Sequence, residues 1–161
     1  MLSIIKLICF TALSITQVFG VQVVNEHVKP STCPEGWYEE RADPVKCLKI
    51  VTEARSWTDA WTDCLVAGND STLLHISNVF ENLEILNNIA NHCSQFYTGL
   101  FRNVYDEWIW TTGDTITYAH WKAGYPTNDT TQNCVSFDGN TGMWYNMDCD
   151  KLQCYACQQY F

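Results

Sequence analysis

The chain is predicted to fold as an α+β domain, with two helices, small antiparallel sheets, a long loop region and disulfide staples. Three observations predict it. Helical apolar spacing is confined to the first half, at residues 56–68 and 77–90, while beyond residue 95 short apolar runs alternate with polar turns. Eight cysteines follow residue 32, an even set. Between residues 121 and 157 the chain is dense in Gly, Pro, Asn and Asp, the punctuation of irregular surface backbone.

Residues 1–20 carry Lys6 and then an apolar run through Leu7, Ile8, Phe10, Leu13, Ile15 and Val18. Val18 and Gly20 are the small residues a signal peptidase needs, so a signal peptide cleaved after Gly20 is expected. Thr11, Ser14, Thr16 and Gln17 interrupt the run well short of the ~18–20 apolar residues of an anchor. A secreted, extracellular protein with no membrane anchor follows. Residues 21–32 form a polar lead-in, the domain occupies residues 33–158, and residues 159–161 are a tail.

In an oxidising compartment the eight remaining cysteines read as four disulfides, although spacing alone allows 105 connectivities. Cys154 and Cys157 lack the second ligand pair of a zinc site and the strand–CxxC–helix context of a redox motif. The formal net charge of −9 falls by a further unit when Lys6 is removed, and the acidic residues are scattered. Nucleic acid and anionic membranes, which require clustered Lys and Arg, are thereby excluded as partners.

In chain order, Pro34 and Gly36 turn into a short strand at Trp37 and Tyr38, and residues 47–51 alternate as a half-buried strand. Ser56 caps the first helix and Asp59 completes the capping box. Trp57, Trp61, Cys64 and Leu65 form its buried stripe, and Gly68 stops it. On that stripe the two tryptophans read as core, not as a sugar platform. Ser77 or Asn78 caps the second helix, whose stripe is Val79, Leu83, Leu86, Ile89 and Ala90. His75, between apolar neighbours, reads as a satisfied interior histidine. Residues 96–101, 107–111 and 134–137 read as strands, and 124–133 as a surface loop long enough to be functional.

With these landmarks in place the chain resembles the C-type lectin-like domain family over residues 33–157. The resemblance rests on Cys33-Pro34, Gly36-Trp37, Cys47, Cys64, Glu81-Asn82, Tyr97 to Leu100, Trp108-Ile109-Trp110, Gly113, Trp121, Cys134-Val135, Trp144, Cys149 and Cys157, all in family order. It implies a looped α+β fold with its ligand site on the long loop. It also implies the disulfides Cys64–Cys157, Cys134–Cys149 and Cys33–Cys47, which leaves Cys93 to pair with Cys154. It further suggests likeness to small secreted proteins of invertebrate innate immunity.

In sugar-binding members of that family the long loop holds a calcium ion that also binds sugar hydroxyls. Such an ion needs several oxygen ligands with enough negative charge to offset it. Here the corresponding positions are Tyr125, Thr127, Gln132, Tyr145 and Asn146, with no carboxylate among them. Asp129 and Asp138 are the nearby acids that a shifted loop would have to recruit. No metal or other cofactor is therefore expected.

The candidate ligand-binding residues are Tyr125, Thr127, Asn128, Tyr145 and Asn146, with Tyr125 and Tyr145 exposed and Trp144 in the core. Aromatic faces and amides suit a glycan, and Tyr equally suits a protein partner. Asn69-Asp70-Ser71 and Asn128-Asp129-Thr130 are N-glycosylation sequons. The histidines His27, His75, His92 and His120 lie in no catalytic motif, and HExxH and GxSxG are absent, so the chain does not read as an enzyme.

Overall fold

The structure is a computed structural model and describes residues 33–43, 45–89 and 91–161, with only the backbone at Ile89. The signal peptide, the lead-in and the expected contribution of Ala90 lie outside the described residues, as does the side chain of Ile89. The elements run β1 (Tyr38–Glu39), β2 (Lys46–Arg55), α1 (Trp57–Ala67), β3 (Thr72–Leu73), α2 (Val79–Ile89), β4 (Gln95–Arg102), β5 (Trp108–Trp110), β6 (Cys134–Asp138), β7 (Trp144–Met147) and β8 (Gln153–Tyr160).

The strands join in one eight-stranded sheet with the path β1-β2-β8-β4-β6-β7, with β3 on β8 and β5 on β4. All pairs are antiparallel except β4 with β8. The small sheets expected from sequence are thus fused, and the strand that fuses them is β8. Its glutamines hide it from a pattern search, because a central strand is ordinarily apolar. Here all three are buried, and two of them are bonded: Gln158 Oε1 accepts from His75 N at 2.7 Å, and Gln153 Oε1 accepts from Ser136 Oγ at 2.7 Å. Gln159 and Tyr160 pair with Cys47 and Lys46, so the ordered domain runs past residue 158 and the expected tail begins as strand.

Ser56 caps α1, its Oγ accepting from Asp59 N at 3.2 Å. The buried face is Trp57, Ala60 and Cys64, and Leu65 points to solvent, contrary to the expected stripe. Trp57 is core, donating Nε1–H to Thr98 O at 2.8 Å, and Trp61 packs half-buried against Trp57 and Phe101. Gly68 follows the helix in extended conformation. A Cβ there would lie 2.0 Å from Gln159 Oε1, the end of a flexible side chain, and 3.3 Å from Trp37 Cζ2, so a larger residue would need Gln159 to shift.

Asn78 caps α2, its Oδ1 accepting from Phe80 N at 2.9 Å and Glu81 N at 3.1 Å. The helix is rotated from the apolar stripe. Val79 and Leu83 are exposed, whereas Glu81, Asn82 and Ile85 are buried. Two polar residues can face inward because each finds partners there. Glu81 joins Lys46 at 2.8 Å, and Lys46 also lies 3.0 Å from Glu40 in a buried triad. Asn82 Nδ2 donates to Gly142 O at 3.0 Å, and Asn82 Oδ1 accepts from Trp144 Nε1 at 2.9 Å.

The four disulfides are Cys33–Cys47, Cys64–Cys157 and Cys134–Cys149, the three pairs that the resemblance implied, and Cys93–Cys154, the pair left by exclusion. The main core gathers Leu48, Leu74, Ile76, Ile85, Phe96, Trp110, Phe137 and Trp144. Trp144 is fully buried, with Trp110, Tyr118 and Trp121 presenting edges to it at centroid distances of 5.7, 5.6 and 5.9 Å. That packing fixes the base of the long loop beside β7. Among the described residues no helix is long and apolar enough to cross a membrane.

Candidate functional site: the long loop

The loop between β5 and β6 leaves the core at Trp121, where Lys122 N donates to Trp144 O at 2.8 Å, and re-enters at Cys134. Between these points one side chain organises it. Asn146, on β7, is 2 % exposed and faces inward. Its Nδ2 donates to Gln132 O at 2.9 Å, Thr127 Oγ1 at 3.1 Å and Thr127 O at 3.2 Å. Its Oδ1 accepts from Thr127 N at 2.7 Å, and Thr127 Oγ1 donates to Gln132 Oε1 at 3.0 Å. One neutral amide thus ties both arms of the loop to the sheet, with its own donors and acceptor used.

This arrangement tests the calcium site that the fold family implies. Three oxygens converge, but they converge on an NH₂ group, and no carboxylate is present to offset a divalent charge. Neither acid held in reserve joins them. Asp129 Oδ1 turns back to accept from Thr131 N and Oγ1 at 2.9 and 2.8 Å. Those bonds, with Arg102 nearby, hold its carboxyl below the usual range. Asp138 Oδ1 accepts from Asn140 N at 2.8 Å. Among the described residues no three His, Cys, Asp or Glu side chains gather as metal ligands. The residues do not fit the ion.

The other expected site residues fall around the same loop. Tyr125 and Tyr145 meet edge to face at 5.8 Å, each half-buried where exposure was expected. The Tyr145 hydroxyl is buried, and burial raises its pKa. Thr127 is half-buried and held by Asn146, while Asn128 is exposed beside it. The fold therefore brings Tyr125 to Tyr145 and Thr127 to Asn146. Of the five, Asn128 is exposed to solvent and Asn146 is turned away from it.

A second fastener escapes any sequence motif. Arg102, at the end of β4, donates Nε–H to Asn133 Oδ1 at 2.9 Å and Nη2–H to Asp129 O, and pairs through Nη1 with Asp106 at 3.3 Å. Its guanidinium also lies over Trp108 at 5.4 Å. The planar fork of arginine suits this bridging, which joins the β4–β5 turn to the loop. Between the two lies a hollow of about 200 Å³ lined by Arg102, Asn103, Asp106, Thr130 and Asn133. Val104 is part of its wall and 94 % exposed, and Tyr105 follows it in the same turn, 80 % exposed. No sequence signal marks either residue; only the hairpin brings Val104 beside the loop.

His75 stacks on Trp110 at 4.3 Å with Asp114 3.6 Å away, and burial, then the Lys46 charge, lowers its pKa. That is an interior histidine.

Fold and loop together define a disulfide-stapled domain of the C-type lectin-like fold that presents an irregular, ordered surface. The lectin C-type domain model matches residues 53–159, and the chain belongs to that family. C-type lectin lectoxin-Lio3 of Erythrolamprus poecilogyrus is 24% identical over 132 residues, 78% of this chain and 80% of that protein. The secretory phospholipase A2 receptor of Bos taurus is 26% identical over 145 residues, 80% of this chain but 10% of the receptor. Among solved structures, the mouse scavenger receptor C-type lectin carbohydrate-recognition domain aligns with TM-score 0.70 and 26% identity, covering 80% of this chain and 96% of that one. A calcium-independent type II antifreeze protein aligns with TM-score 0.71 and 22% identity, covering 80% and 94%. Family membership makes the chain a binding module of a kind that is generally non-enzymatic.

Proposed function

We propose that the chain is a secreted recognition module that binds a glycan or protein ligand through its long-loop face without calcium. The observation that carries this is the Asn146 hub, which fills with a neutral amide the place where a metal-dependent loop needs charged oxygens. The face offered to a ligand combines Tyr105 and Val104, the hollow beside Arg102, and Asn128 with Tyr125 across the loop. Exposed Tyr with adaptable amides is the composition of surfaces that take polar ligands. A protein of the same fold that is itself described as calcium-independent supports the reading. Asn69 and Asn128 carry N-glycans in this proposal, both side chains being exposed. Asn128 would place its glycan on the binding face and narrow it.

A glycan array probed with the secreted protein, with calcium and with chelator, tests the reading. Equal signals in both arms are expected, and their loss in Tyr105→Ala locates the face. Binding only with calcium refutes it. Silence on the array, with Tyr105-dependent capture of a protein, assigns the same face to a protein partner. Millimolar calcium on a site of ~10 μM affinity would add roughly 2.7 kcal/mol to folding. No such rise in Tm is expected.

A further inference from the structure

We propose that the groove beside the C-terminal end of α1 is the seat of the N-linked sugar on Asn69. This rests on Asn69 being an occupied sequon. The groove holds about 410 Å³ and is lined by Pro34, Trp37, Asn69, Gln159, Tyr160 and Phe161. The acceptor amide is itself part of the wall. Trp37 lies at the backbone one residue before it, since a Cβ on Gly68 would sit 3.3 Å from Trp37 Cζ2. Tyr160 and Phe161 are half exposed, so three aromatic rings surround one exposed Asn.

The tether is short and held at both ends. Asn69 follows Gly68 directly at the end of α1, and Ser71 Oγ donates to Cys64 O within that helix. A sugar on Asn69 therefore starts at the groove. In the modification, Asn69 Nδ2 bonds to the anomeric carbon of N-acetylglucosamine from a lipid-diphosphate oligosaccharide donor. The amide gives up one proton, and the lipid diphosphate leaves with the anomeric oxygen. The apolar CH face of a pyranose is suited to the electron-rich face of an aromatic ring. The first N-acetylglucosamine thus covers surface that would otherwise expose Trp37, Tyr160 and Phe161.

The test uses protein secreted from eukaryotic cells with Asn128→Gln, so that Asn69 carries the one glycan. Mass spectrometry reports occupancy first. Endoglycosidase trimming to a single N-acetylglucosamine should leave Tm unchanged, whereas Asn69→Gln should lower it by roughly 3–5 °C. In a Trp37→Ala background that difference should vanish. Phe161→Ser gives the same comparison if Trp37→Ala is not secreted. An unmodified Asn69 removes the premise. An occupied Asn69 whose loss is additive with Trp37→Ala removes the groove and leaves the glycan. A concentration-dependent dimer that Trp37→Ala dissolves assigns the groove to a second copy and overturns the proposal.

Discussion

Asn146 holds two strands of loop backbone with one side chain, so its removal strands several buried groups at once. Asn146→Ala leaves Thr127 N–H and Gln132 O without their partner, and a loss of about 2–4 kcal/mol is expected from urea unfolding midpoints. Asn146→Asp should be comparably harmful, because a carboxylate then faces the two carbonyls that the amide served. Glu40 sets a second expectation. Burial, only partly offset by Lys46, raises its pKa to about 7 from an ordinary 4.5. Between those values the folded chain binds a proton that the unfolded chain releases. The contribution is therefore full below about pH 4.5 and is lost as pH rises through 7, by roughly 3 kcal/mol at most. Tm of the wild type relative to Glu40→Gln should accordingly fall between pH 5 and pH 8. A difference independent of pH would show that Glu40 is ionised throughout. None of this was legible from sequence. In sequence Asn146 has the pattern of a ligand residue, and only the pairing of β6 with β7 decides which way it faces.

At the scale of elements, the long loop and the β4–β5 turn are joined by a single guanidinium. Arg102→Gln should speed amide exchange across residues 129–133, where Arg102 holds the backbone, while β2 and β8 keep their protection. Arg102→Lys should not rescue it, since one ammonium cannot span Asn133, Asp129 and Asp106 together. The turn between β6 and β7 is held differently. A Cβ on Gly139 would lie 2.4 Å from Cys93 O, a backbone atom that cannot swing away. Gly139→Ala should cost about 1–3 kcal/mol in thermal unfolding. The helices themselves were legible, since caps at Ser56 and Asn78 are local signals. Their inward faces were less so. Glu81 and Asn82 look solvent-facing until Lys46 and Trp144 arrive from distant segments.

For the whole molecule, β2 and β8 lie side by side, and Cys64–Cys157 ties α1 to β8, closing a loop of 93 residues. Replacing both cysteines with alanine should destabilise the domain by roughly 4–5 kcal/mol, read as a fall in Tm without reductant. The sequence by itself determined the α+β class, the start of the first helix and the even cysteine set, and it holds no carboxylate at the positions that the family resemblance assigns to calcium. Each of these depends on residue type or short-range spacing. Tertiary structure alone decided the glutamine-rich central strand, the rotation of α2, the Arg102 bridge and the inward turn of Asn146. The physical reason is common to all four. Burying a polar side chain costs little where a partner reaches it from elsewhere in the chain, and local pattern holds no record of that partner.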